Sequence, residues 1–411
     1  MKLEIHILQN FAPSNLNRDD TGSPKDCELG GIRRSRISSQ CWKRAIRNAF
    51  AQHDLVPEGE RAARTKRLVE EVAHRVASGD NAVDEERARL ATVKLLEAGG
   101  LKTDEDTGKT QYLLFLPRRS LDALAALVVQ NLELLTAEPA AKPDETNEKK
   151  PKARSAKAAK SDAKNAANPE VRKAVEAILE DGARTPELAL FGRMIADRPE
   201  WNVDAACQVA HAVSTNRVAI EFDFYTAIDD LKRDDTAGSD MMGTIPFTSA
   251  CFYRYLVVDI RELVKNLGGD DQAIEQAKRT LESFVRAAVL AIPSGKQNSM
   301  AAQNPPSLVV CDVRDKAEPR SFANAFVEPV RPGREGDLVS VSALRLAKYA
   351  AALDKVYGTK GRGKEGLSFM ALDPEVTIAS GVEKALPGAV QRQSLDELVA
   401  GIARSAFGGA A

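Results

Sequence analysis

The 411-residue chain is poor in the features that mark most secreted, membrane and metal-dependent proteins. Its five cysteines, at positions 27, 41, 207, 251 and 311, are odd in number and form no CxxC pair, so neither a disulfide framework nor a zinc knuckle is expected. The histidines, His6, His53, His74 and His211, lack metal-ligand spacing. No Walker loop, GxSxG or GxGxxG segment occurs, which removes the common signatures of nucleotide and acyl chemistry. No run approaches the ~20 apolar residues that cross a bilayer, and Met1 to Asn10 lacks the charged-then-apolar form of a signal peptide. A cytoplasmic chain with no membrane partner and no cofactor is therefore expected. A global basic surplus is missing as well: the formal net charge is -1, which argues at first against nucleic acid.

The charge is unevenly spread, however. Between Lys25 and Arg47 stand seven Lys or Arg residues against Asp26 and Glu28 alone. Hydrophobic residues make up 43% of the chain and aromatics only 5%, a balance of Ala, Leu and Val that favours a helix-rich protein with some sheet. Leu3, Ile5 and Ile7 alternate with Lys2, Glu4 and His6, the period of a half-buried strand. A polar loop from Pro13 to Gly31 follows, and Ser38 or Ser39 caps a helix over Gln40 to Phe50. Val218, Ile220, Phe222 and Phe224 alternate, and Phe252 to Ile260 reads as a strand able to pair with them in a long hairpin. Ile274 to Ile292 has helical spacing, and Leu308 to Val313 is a last short strand. The order βαββαβ is that of ferredoxin-like folds, giving an α+β class. Residues 53–216 interrupt it as a helical insertion, with Leu121, Leu124, Val128, Leu132 and Leu135 on one face and a strand of unknown place at Tyr112 to Leu116. Within it, 137–168 is rich in Ala and Lys without large apolar side chains and is read as a disordered loop.

On the helix after Ser39, Gln40, Lys43, Arg44 and Arg47 share one face, while Trp42, Ala45, Ile46 and Ala49 take the other. Ser38, Ser39 and the N–H groups at the helix start favour an anion, and Arg34 and Arg36 share a side if Ile32 to Ile37 is extended. Together these groups form a groove for a sugar-phosphate chain; an ordinary solvated helix face is the competing reading. Phe224 and Tyr225 offer rings that stack on bases, although Phe222 and Phe224 fit a core equally well and Tyr225 is the freer of them. Met194 reads by default as a core methionine. Asp19 and Asp20 could hold magnesium, or serve as turn residues, with no third carboxylate or histidine nearby in sequence.

The sequence resembles the repeated backbone subunit of the type I-E CRISPR surveillance complex Cascade, the CasC family. The resemblance rests on Ser14 to Asp20 (SNLNRDD), Gly30-Gly31 with Arg33 to Arg47 (RRSRISSQCWKRAIR) and Gly192 to Met194, then Ala210 to Thr215 (AHAVST). It continues through Phe224 to Asp230 (FYTAIDD), Phe252 to Tyr255 (FYRY) and Ser294 to Asn304 (SGKQNSMAAQN), and thins beyond Phe326. It implies an RRM-like palm (1–52 and 217–411) with a thumb hairpin loop at 226–249 and a finger-like insertion at 53–216. Such a chain is not an enzyme; its copies form a helical filament on CRISPR guide RNA (crRNA) beside subunits of the CasA, CasB, CasD and CasE families in antiviral defence. Base pairing to the guide then reads target DNA. By the same resemblance Lys25, Ser38, Gln40, Lys43, Arg44 and Arg47 grip the guide backbone, and Lys296 and Gln297 join the RNA-binding set. Met194 is a wedge, and Phe224 and Tyr225 sit on the thumb. Asn216 stands where the family tends to place His. The alternative is a metal-dependent endoribonuclease of the type III backbone kind, using Asp19 or Asp20.

Overall fold

The computed structural model describes residues 1–79, 83–104, 107–137, 169–195, 198–227, 241–333, 336–373 and 376–408. Nearly all of the expected loop at 137–168, and residues 228–240 of the expected thumb loop, lie outside the described residues. The chain divides into two compact units, Met1–Val56 with Ala206–Ala411, and Pro57–Ala205. These limits differ from the expected 53 and 216. Val56 is buried and the Leu55 carbonyl accepts the Ser283 hydroxyl, so the first unit runs past the helix; residues 207–214 rejoin it as sheet strands.

The first unit is a mixed α+β structure on a large sheet. Its strands are β1 (Lys2–Ser14), β2 (Asp26–Leu29), β3 (Ile32–Ile37), and, in the second half of the chain, β6 (Cys207–Val209), β7 (Ala212–Ser214), β8 (Glu221–Ala227), β9 (Met241–Asp259), β10 (Leu308–Arg314), β11 (Arg362–Ala371) and β12 (Val390–Gln391); β4 (Ala62–Thr65) and β5 (Leu114–Pro117) belong to the second unit. The sheet runs β12-β11-β10-β1-β9-β7-β3-β2, with β6 and β8 also on β9. All these pairs are antiparallel except β11 with β12. The expected hairpin forms, but in another register: β8 pairs with residues 241–247 of β9, while 251–259 pair with β1.

Both faces around β1 are covered, so the strand is buried from Leu3 to Gln9 and is not half-exposed there. On one face Leu8, Tyr253, Leu308 and Val310 pack against the helices Leu338–Tyr357 and Thr377–Ala385. On the other, helix α1 (Ser39–Gln52) packs with the Asp271–Leu290 helix. The buried polar side chains of β1 find partners inside the fold, apart from His6 Nε2, which is buried without a hydrogen bond. Glu4 pairs with Arg314 and accepts from Arg320 N–H and the Tyr255 hydroxyl. His6 stacks on Phe322 with ring centroids 3.8 Å apart and pairs through Nδ1 with the Tyr253 hydroxyl at 2.9 Å.

The second unit is mostly helical around Leu68, Val72, Leu95, Leu124, Val128 and Val175. Leu121, Leu124, Val128 and Leu135 are buried in it and Leu132 partly so, and the unplaced strand is β5, antiparallel to β4. No described helix is long and apolar enough to cross a membrane.

Burial, reinforced by the Arg314 cation, lowers the His6 imidazole from 6.5 to about 3. The folded value is depressed, so the unfolded chain takes up the proton first and stability is lost as pH falls from about 6.5 toward 3. The expected slope approaches roughly 1.4 kcal/mol per pH unit, and His6→Leu removes it. Denaturant unfolding of the two proteins across this window checks the difference; equal slopes contradict it.

Candidate nucleic-acid interface

Helix α1 starts where Ser38, in extended backbone, accepts the Cys41 N–H on its hydroxyl at 3.3 Å. Trp42, Ala45, Ile46, Ala49 and Phe50 bury the inner face. Gln40 and Arg44 are exposed on the outer face, with Lys43 and Arg47 half-buried at its margins. No acid stands in the first turn, and among the described residues neither Lys43 nor Arg44 is held in an ion pair. The start of the helix is less open than expected. Ser38 N–H donates to Asn17 Oδ1 at 2.8 Å and Ser39 N–H to His211 Nδ1 at 3.2 Å, so Ser38 acts as a cap whose neighbours are already engaged.

The arginines of β3 divide sharply. Arg34 is fully buried, and its guanidinium donates to the carbonyls of Ser214, Thr215, Phe326 and Val327 at 2.8–3.2 Å. It braces the first unit and is withdrawn from the expected phosphate groove, because every carbonyl it meets lies inside the fold. Arg36 remains half-buried at the edge, donating to Asp26 O and contacting His211 Nδ1 at 3.2 Å. Both partners of His211 Nδ1 are obligate donors, which puts the ring proton on Nε2 of this exposed side chain. Sequence reasoning tested His211 only for metal spacing and missed it here; its place in the AHAVST segment was the available signal.

The Asn15–Asp20 segment is a junction. Asn15 is buried and donates to Gly22 O and Pro246 O, both at 2.9 Å, tying the loop to the base of the hairpin. Asn17 O accepts Lys25 N–H at 2.9 Å, and Lys25 and Arg44 both lie near the Cys41 thiol. Asp19 Oδ1 accepts from Thr21 N–H, Thr21 Oγ1 and Ser23 N–H at 2.8–2.9 Å, and the Thr21 hydroxyl leads the groups that hold its carboxyl below the usual range. This is turn chemistry. No His, Cys, Asp or Glu cluster suited to a metal ion occurs among the described residues.

The Ser294–Asn304 loop closes on the same junction. Gly295 lies so close to the Asn15 and Leu16 carbonyls that a Cβ there would collide with them. Lys296 follows in the left-handed region, φ 53°, half-buried and outside any ion pair among the described residues. Gln297 is a brace: its amide donates to Pro293 O and Ala302 O and accepts from Gln303, so its expected contact with RNA is already replaced by contacts within the loop.

On the hairpin the order of freedom is the reverse of that expected. Phe222 and Phe224 are 68% and 64% exposed, on one side with Met242 diagonal to Phe224. Tyr225 is half-buried, its ring laid over Gly243, where no side chain competes for the space. In the second unit Met194 is 82% exposed and is not a core residue. Its neighbours hold it outward: buried Arg193 donates to Trp201 O and Leu179 O, and Ile195 N–H donates to Asn202 Oδ1.

The cysteines are all free thiols; burial pushes Cys207 and Cys251 up to about 12, which leaves them inert packing groups.

Two solved structures are similar to the chain over almost its whole length. One, described as "CRISPR RNA-guided surveillance complex, pre-nicking", is 30% identical with a TM-score of 0.78, covering 98% of this chain and 100% of that one. Another, described as "CRISPR RNA-guided surveillance complex", is 25% identical with a TM-score of 0.68, covering 97% and 99%. No curated protein matches the sequence. A family model described as "CT1975-like protein" matches residues 3–400, and the chain belongs to that family.

Proposed function

We propose that the chain is the non-catalytic, crRNA-binding backbone subunit of a type I-E Cascade complex. The observation that carries this reading is the outer face of α1, where Lys43 and Arg44 have no acidic partner among the described residues, with Lys25 and Lys296 on the loops that meet at its start. Paired cations are spent within the fold, whereas unpaired ones at a groove remain available to phosphates. Full-length similarity to chains of CRISPR RNA-guided complexes supports the same assignment.

The division of labour follows from the chemistry. The cations and His211 Nε2–H take the sugar-phosphate chain, which carries charge and shape but not sequence. Phe222 and Phe224 on the hairpin, and Met194 on the second unit, present apolar surface that can lie against or between bases. The order β10-β1-β9, with β8 on β9, supports an RRM-like palm, and the hairpin corresponds to a thumb. Copies of the chain would then line the guide in a cytoplasmic filament beside CasA, CasB, CasD and CasE relatives, holding it for pairing with target DNA. The engagement of Asp19 in its own turn weighs against the endoribonuclease reading.

Lys43→Ala with Arg44→Ala is expected to weaken single-stranded RNA binding and to flatten the plot of log affinity against log salt by about 1.4, two lost phosphate contacts at ~0.7 each. An unchanged slope contradicts the interface. Guide-loaded protein incubated with magnesium and complementary RNA is expected to leave both strands intact. Cleavage abolished by Asp19→Ala or Asp20→Ala would install the nuclease instead.

A further inference from the structure

Arg254, in the second half of β9, is buried and has no carboxylate partner among the described residues. Its Nη1 donates to Gln9 Oε1 at 2.7 Å, its Nη2 to Ala288 O at 2.6 Å, and its guanidinium lies 3.6 Å over the Trp42 ring. Burying a cation on neutral partners is costly, and an apolar side chain of similar volume often packs as stably. Stability alone therefore does not account for it. Desolvation lowers its ordinary value of 12.5 to about 9, so it stays charged at neutral pH.

What distinguishes its three contacts is where they lead. Trp42 is the inner anchor of α1, whose outer face carries Lys43 and Arg44. Ala288 O belongs to the last turn of the Asp271–Leu290 helix, where carbonyls lack intrahelical partners, and the chain continues from there into the Ser294–Asn304 loop. Gln9, after accepting from Arg254, donates its Nε2 to Asn304 O at 2.7 Å, at the far end of that loop. Arg254 thus reaches the entry to the loop, its exit, and the helix on which the other cations stand.

We propose that Arg254 is a positioning residue that sets the Lys296 loop and the cationic face of α1 in one fixed arrangement for a single RNA backbone. This rests on the RNA-binding reading above. The Trp42 stack and the two carbonyl-type acceptors are planar requirements that a guanidinium meets and an ammonium does not. Arg254 itself touches no RNA; its effect passes through Lys43, Arg44 and Lys296.

The test is a double-mutant cycle on single-stranded RNA binding by the full chain, with wild type, Lys296→Ala, Arg254→Met and the double variant, and thermal unfolding measured alongside. The expected result is that Arg254→Met weakens binding and that Lys296→Ala costs between about twofold and a hundredfold less in its background than in wild type. Arg254→Lys is expected to recover less than half of that coupling on a logarithmic scale. Fold-changes that multiply in a folded Arg254→Met protein overturn the proposal and make Arg254 a packing residue. If Arg254→Met does not fold, Gln9→Met completes the same cycle, since it removes the Arg254–Gln9–Asn304 link while the Trp42 and Ala288 contacts of Arg254 stay. Binding weakened by Lys43→Ala with Arg44→Ala but lacking coupling sinks only this inference; a wild-type chain that binds no RNA sinks the proposed function with it.

Discussion

The first unit depends on one long antiparallel pairing, that of β1 with β9, in constant register from Lys2 to Phe11. Strand β9 is 19 residues long and does two jobs along its length. Its second half is fixed between β1 and the short strands β6 and β7, inside the core. Residues 241–247 continue beyond β1 and pair with β8 alone, carrying Phe222 and Phe224 into solvent on an extension of the core. A hairpin on its own is marginally stable. Continuity with a buried strand supplies the stiffness that exposed rings need if they are to meet a ligand in one orientation. Asn15, bonded to Pro246 O, ties the same hairpin to the loop leading toward α1.

Charge in this protein is organised by what it is bonded to. Of the seven cations between Lys25 and Arg47, Arg33 pairs with Asp26, Arg34 is enclosed by four carbonyls, and Arg36 is held by Asp26 O and His211. Arg47 is half-buried at the margin of α1, and Lys25, Lys43 and Arg44 are left for the proposed interface. A second group of charges, Glu4, Asp312 and Asp354 with Arg314, Arg320 and Arg362, is buried or half-buried and neutralised among itself. Such a cluster adds nothing to the surface potential, and a net charge of -1 is compatible with a cationic groove because the acids that balance residues 25–47 lie elsewhere in the chain.

Local periodicity made β1, α1, β10 and the helix at 271–290 legible, since each buries a regular set of apolar side chains. The capping serine was readable for the same reason. Strands β6 and β7 were not, because three residues carry no period. The early part of β9 was hidden by Gly243 and Pro246, residue types depleted in strands that are held extended here by pairing with β8. Side-chain roles were harder still. The burial of Arg34 depends on carbonyls roughly 180 and 290 positions away in the chain, and the packing of Tyr225 depends on the bare surface of Gly243 across the hairpin. In each case the deciding partner is remote in sequence. The resemblance of the motifs to a guide-binding family pointed to these segments; the geometry sorted their residues into those that face outward and those that brace the fold.

The most direct measurement on the central claim is the identity of the nucleic acid that co-purifies with the chain and its partner subunits. Sequencing that material is predicted to return a discrete short RNA of repeat-spacer form, protected along its length. Heterogeneous RNA and DNA without such a repeat would indicate a general single-strand binder and contradict the account.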